Sequence, residues 1–86
     1  MNPNPTQKKE AHMNASTIIV YRSDGSPVKG AKVVLGFSGG MSKPGFTDRD
    51  GRVTIDHAST GTAKIFVRGK NCGTFRAPGR TVVTYK

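Results

Sequence analysis

Seven short runs in which apolar and polar residues alternate, each closed by Gly, Pro, Asp or Asn, confine this chain to an all-β fold. Side chains on a strand point alternately to opposite faces, so each run can bury one face and leave the other in water. The runs are 16–22 (STIIVYR), 31–37 (AKVVLGF), 45–48, 52–56 (RVTID), 62–68 (TAKIFVR), 72–76 and 80–85. No window of helical length carries a helical period that competes with this alternation. Eleven Gly and five Pro supply the turns that so many short strands need. Ser23-Asp24-Gly25-Ser26-Pro27 joins a Gly able to take positive φ to a Pro that cannot donate to a ladder. Arg49-Asp50-Gly51 reads as a tight hairpin between the runs at 45–48 and 52–56.

The inward positions of these runs predict a core of Ile18, Val20, Val28, Ala31, Val33, Leu35, Phe37, Val53, Ile55, Ala63, Ile65, Val67 and Phe75, with Val82 or Val83 from the last strand. At roughly 1.5–3 kcal/mol per buried large aliphatic side chain, such a core can hold a small domain together unaided. With 34% hydrophobic residues and no Trp, it provides one layer of packing and no room for a buried cofactor. Residues 1–14, rich in Asn, Pro, Thr, Gln and Lys, read as a flexible arm ahead of a single domain at 15–86. No stretch reaches the roughly 18–20 apolar residues that span a bilayer. The N-terminal segment lacks the apolar run of a secretory signal. The single Cys72 cannot form an internal disulfide. These features lead to the expectation of a cytoplasmic protein, or one exported without a cleaved signal peptide.

Two segments carry a family pattern. Asp24-Gly25-Ser26-Pro27-Val28-Lys29-Gly30-Ala31-Lys32-Val33-Val34-Leu35, followed by Thr47-Asp48-Arg49-Asp50-Gly51-Arg52-Val53-Thr54-Ile55, resembles the carboxypeptidase regulatory-like domains. These are transthyretin-like (prealbumin-like) β-sandwiches, similar also to collagen-adhesin B-type repeats. The resemblance spans residues 16 to about 69 and implies a seven-stranded, immunoglobulin-like Greek-key sandwich. It implies a small residue where the first motif enters its strand, and an Asp48 side chain that caps the N–H groups of the second. Domains of this kind usually act as docking, folding or spacer units. Transthyretin-like domains also occur at the tips of secretion spikes and in phage particles, a setting that a basic, stand-alone copy would suit by analogy of fold.

The enzymatic relatives of this family leave no mark here. Hydroxyisourate hydrolase depends on a C-terminal Tyr-Arg-Gly-Ser and on histidines in early strands, whereas this chain ends Thr84-Tyr85-Lys86. Adhesin repeats crosslink a Lys to an Asn under a buried Glu. The only Glu here is Glu10, in the arm, and the last strand holds no Asn. His57 and Cys72 could act as base and nucleophile, but no orienting group or oxyanion motif accompanies them. His12, His57, Cys72 and the Met residues lack the short spacing of zinc or copper ligands. Asp48 and Asp50 beside Gly51 lack the further acids of a calcium loop and are explained as turn caps. Gly36, Gly39 and Gly40 precede neither a Gly-Lys-Ser/Thr signature nor a helix, so they do not form a phosphate loop. No catalytic residue, metal or cofactor is therefore expected, and a small-molecule substrate is not favoured.

Charge carries more information. Fourteen Lys and Arg against five Asp and Glu give a formal net charge of +9. Six of the cations, and no acid, lie in residues 57–86. If Ile65 and Val67 point inward, Lys64, Phe66 and Arg68 point outward, and Lys70, Arg76 and Arg80 extend them into a basic strip with one aromatic. Ammonium and guanidinium groups take phosphates and a ring takes a stacked base, so the strip is a candidate for single-stranded nucleic acid. A second candidate is strand addition: the runs at 16–22 and 80–85 are expected near sheet edges, where Val83 and Tyr85 would leave apolar contacts for a partner or another copy. The leading expectation is a non-enzymatic module that docks on a protein or builds an assembly, with polyanion binding as the alternative.

Overall fold

The computed structural model describes residues 13–86, which form eight strands and no helix. In chain order these are β1 (Asn14–Arg22), β2 (Lys32–Phe37), β3 (Gly40–Met41), β4 (Gly45–Phe46), β5 (Arg52–His57), β6 (Gly61–Val67), β7 (Lys70–Ala77) and β8 (Arg80–Tyr85). They build two sheets. One is three-stranded in the order β5-β1-β8; the other is five-stranded in the order β3-β2-β6-β7, with β4 also paired to β2. No helix of the described residues is long and apolar enough to cross a membrane.

Between the sheets lie Ile18, Val20, Val28, Ala31, Val33, Leu35, Val53, Ile55, Ala63, Ile65, Val67, Ala77 and Val83, all buried. Phe37 and Phe75, expected within this core, are half-buried at its margin with Cys72 and Tyr85. The choice between Val82 and Val83 falls to Val83, because Val82 lies on the solvent side of β8 and is 57% exposed.

Three topological expectations are corrected. First, β1 is the centre of its sheet, antiparallel to β5 and parallel to β8. The uninterrupted run Ile18-Ile19-Val20 fits that place: a central strand is covered on both sides, and even outward Ile19 is buried between Arg52 and Val82. Second, the Gly-rich segment between the predicted runs at 31–37 and 45–48 is not merely a connection but contains β3. The Ser42 N–H donates to the Leu35 carbonyl at 2.8 Å, and Ser42 Oγ accepts from the Leu35 N–H at 2.9 Å. A side chain thus completes the ladder between β3 and β4, while Pro44 breaks the edge they share. Third, Arg49-Asp50-Gly51 closes a tight turn, with the Gly51 N–H donating to Asp48 O and the Asp48 N–H to Arg52 O, both at 2.9 Å, but the runs it joins part beyond that pair. β4 pairs with β2 in one sheet and β5 pairs with β1 in the other, so the turn arches between sheets.

The two motif segments clasp each other at this arch. The Thr47 hydroxyl donates to the Val28 carbonyl at 2.7 Å and accepts from the Ala31 N–H at 2.9 Å, both buried. Main-chain bonds from Gly30 N–H to Thr47 O and from Thr47 N–H to Ala31 O continue the clasp. Asp48 Oδ1 accepts from the Asp50 and Arg52 N–H groups at 2.8 and 3.0 Å, the capping that the motif implied. Those two bonds, Arg52 first, hold the Asp48 carboxyl below the ordinary aspartate value of 3.8. Asp24 is lowered likewise, by the Ser26 hydroxyl and then the Ser26 N–H.

A carboxyl whose pKa is lower in the folded chain stabilises the fold fully above its unfolded pKa and loses that contribution as pH falls through the folded value. Thermal unfolding followed by circular dichroism is therefore expected to show a falling midpoint between roughly pH 4 and pH 2. Asp48→Asn keeps an acceptor oxygen without the titrating charge and should flatten part of that fall. An unchanged profile would mean that the Asp48 cap contributes nothing.

Candidate functional site

The outer face of the five-stranded sheet gathers aromatic, thioether and cationic side chains. On β2, alternation sends Val33 and Leu35 inward and Lys32, Val34 and Gly36 outward. Register then sets their neighbours: Phe46 opposite Lys32, Met41 opposite Gly36, Phe66 opposite Val34 and Lys64 opposite Gly36. Across β6 and β7, Lys64 faces Thr74 and Thr62 faces Arg76. Met41 and Phe46 are 62% and 63% exposed, high for side chains of this size.

Two glycines shape this face by what their missing Cβ would touch. At Gly45, a Cβ would lie 2.7 Å from a Val53 methyl and 3.2 Å from Ile55, so Gly45 faces the core and its neighbour Phe46 is turned out. At Gly36, a Cβ would lie 2.8 Å from the Phe66 ring and 3.2 Å from Met41 Sδ. Phe66 and Met41 therefore lean together over the bare backbone of β2, and the apolar surface runs unbroken from β6 to the sheet edge.

The basic strip expected from the alternation is divided. Lys64, Phe66 and Arg76 lie on this outer face. Arg68 does not continue it, because it sits in the turn between β6 and β7 with φ of 52°. Its guanidinium carbon lies 5.4 Å from the centre of the Tyr85 ring, and Lys70 Nζ lies 6.0 Å from the same ring. Lys70 Nζ also donates to the Lys86 carbonyl at 2.9 Å. Arg80 belongs to the other sheet, beside Thr17.

The expected edge contacts are corrected in the same way. β8 is an edge strand, but Val83 is part of the core and Tyr85 is half-buried beneath the β6–β7 turn. Neither side chain is free for an added strand. Lys32, Val34, Met41 and Phe46 were not singled out from sequence. Their signal was the same alternation on β2, but the pairing that carries β3 and β4 to that strand was not legible.

His57, one residue beyond the predicted run at 52–56, ends β5 and is buried. A carbonyl can only accept, so His57 Nδ1–H donates to Ser59 O at 2.8 Å. In the neutral ring Nε2 is then the acceptor for the Ser16 hydroxyl at 2.7 Å, and Ser16 Oγ accepts from the Gly79 N–H at 3.1 Å. A serine hydroxyl bonded to an imidazole is a nucleophile–base contact in kind. Here Ser16 is 1% exposed and its oxygen is spent on joining β1, β5 and the β7–β8 turn. A cleft of about 530 Å³ opens beside it, between residues 39–45 and 54–59. Lys43, Asp56 and His57 are its titratable lining residues, and both His57 nitrogens are already engaged. Among the described residues, no group of three or more His, Cys, Asp or Glu could hold a metal ion. His12 lies outside the described residues.

No family model matches this chain, and neither the curated proteins nor the solved structures give a match.

Proposed function

We propose that this chain is a non-enzymatic binding module that works through the outer face of its five-stranded sheet. One observation carries this reading: Met41, Phe46, Phe66 and Val34 share that face, Met41 and Phe66 meeting over Gly36 and Phe46 exposed opposite Lys32, with Lys64 and Arg76 beside them. Contiguous apolar surface costs free energy in water and is uncommon on a small monomer unless something covers it. The outer face of the opposite sheet carries Thr17, Ile19, Tyr21, Arg52, Thr54, Asp56, Arg80 and Thr84, with Val82 as its one strongly exposed large apolar side chain against Met41 and Phe46 here.

The architecture proposed for the module is the transthyretin-like, carboxypeptidase regulatory-like sandwich. Its support is the clasp between the two motif segments, in which three motif residues have a structural role. Thr47 ties the strand entry, Asp48 caps the arch and Ala31 fits the core. A docking role within a larger assembly, including a secretion spike or phage particle, is consistent with such a module.

Photocrosslinking in an extract of the cells that make the protein tests the face. A benzoyl-phenylalanine at position 46 or 66 is expected to give discrete adducts that are absent when it replaces Val82. Equal labelling at all three positions, or none at 46 and 66, would overturn the assignment.

A further inference from the structure

Resting on that reading, we infer that the occupant of the outer face is a single strand of nucleic acid, with bases stacked on Phe46 and Phe66 and phosphates held by Lys32, Lys64 and Arg76. The sequence places one aromatic in the basic strip; the β2–β4 pairing brings a second, Phe46, onto the same face. The two rings stand on strands either side of β2, offset by one alternate position. From strand spacing and rise, their backbones are about 12 Å apart. A flexible single strand can bridge two platforms at that separation.

Charge placement separates this occupant from others. Lys32 lies directly across from Phe46, and Lys64 lies two positions before Phe66 on β6. Arg76 extends the cations to β7. Among the described residues, no acidic side chain stands on this face. Asp24, Asp48 and Asp50 lie in turns, and Asp56 lies on β5 of the other sheet. A polyanion therefore meets cations and rings with nothing to repel it, on a chain of formal net charge +9. Rings on an open sheet favour exposed base faces, which a duplex hides within its stack. A peptide strand added beside Phe46 would need a regular edge there, and Pro44 interrupts it.

Fluorescence anisotropy with a labelled oligouridylate of about 12 nucleotides, within the range occupied by single-strand binders, tests the inference. The single strand is expected to bind more tightly than a duplex of equal length. Phe46→Ala, at a site too exposed to endanger the fold, should weaken binding roughly 5- to 100-fold. Lys64→Ala should lower the slope of log affinity against log salt by about 0.7. Val82→Ala should change neither quantity.

Three results would overturn the inference: no binding at low salt, equal affinity for the duplex, or affinity indifferent to Phe46→Ala. A polyglutamate peptide bound through Phe46 and Lys64, with oligouridylate ignored, would assign an acidic protein instead and leave the docking face standing. Loss of the photocrosslinks at 46 and 66 would remove the face itself.

Discussion

Replacing Gly51 with alanine is expected to remove most of the stability of this domain. Gly51 has φ of +77°, where an L side chain is strained. A Cβ there would lie 2.4 Å from the Val20 carbonyl oxygen, 3.2 Å from Pro27 Cβ and 3.4 Å from Val28 N. The obstacle is main chain of the central strand, which cannot rotate away. Gly51 O also accepts from the Val20 N–H at 2.7 Å, and Val20 O accepts from the Val28 N–H, so moving the arch breaks bonds on both motif segments. Strain at a positive φ costs about 1–2 kcal/mol. Adding the backbone collision should bring the loss above about 3 kcal/mol, against a total of about 5 kcal/mol expected for a small domain. Gly25→Ala is the control: its φ is +91°, but nothing lies within 4 Å of the added Cβ. Urea unfolding should show Gly25→Ala losing about 1–2 kcal/mol. Equal losses for the two variants would show that the collision at Val20 is relieved cheaply.

The second large effect separates neighbours on β8. Val83→Lys puts an ammonium into the layer between the sheets, where Val83 is 7% exposed. A buried charge without a partner, together with the lost apolar contact, should cost more than about 3 kcal/mol. Val82→Lys, one residue earlier and 57% exposed, should change stability by no more than about 0.5 kcal/mol. Thermal midpoints measured by circular dichroism distinguish them, since about 1 kcal/mol moves the midpoint of a domain this small by roughly 4–8 °C. Similar midpoints would place Val83 outside the core. The same contrast means that a loss of binding in Val83→Lys would report unfolding, not a lost edge contact.

The predicted strands fall near the observed ones because alternation is a local property. Val53 and Ile55 face in while Arg52 and Thr54 face out, whichever strand lies beside them. The capping role of Asp48 was legible for the same reason, since its partners are two and four residues away. Strand neighbours were harder. Asp50-Gly51 is a hairpin signal only when both flanking runs join one sheet, and a turn's local conformation does not encode which sheet receives each run. The central place of β1 could have been read from Ile18-Ile19-Val20, an unbroken apolar run of the kind that Val33-Val34-Leu35 and Ile65-Phe66-Val67 supply to β2 and β6, which are also interior strands. Arg68 was assigned by extending the period of β6 one residue too far, into a turn where its φ reverses.

From its own residues, then, the chain determined an all-β fold, the inward set of nearly every strand, and the turn chemistry of Asp24 and Asp48. Each depends on neighbours a few positions away and on the two-residue period of extended backbone. The tertiary structure decided which strands became neighbours, and with that the composition of the outer face. Phe46 comes to lie opposite Lys32, and Phe66 opposite Val34, through ladders between residues 14 and 32 positions apart. Arg68 and Arg80 are turned away from that face by the same closure of the sheets. Burial of one common core selects the pairing that satisfies both sheets at once, and no single segment contains that condition.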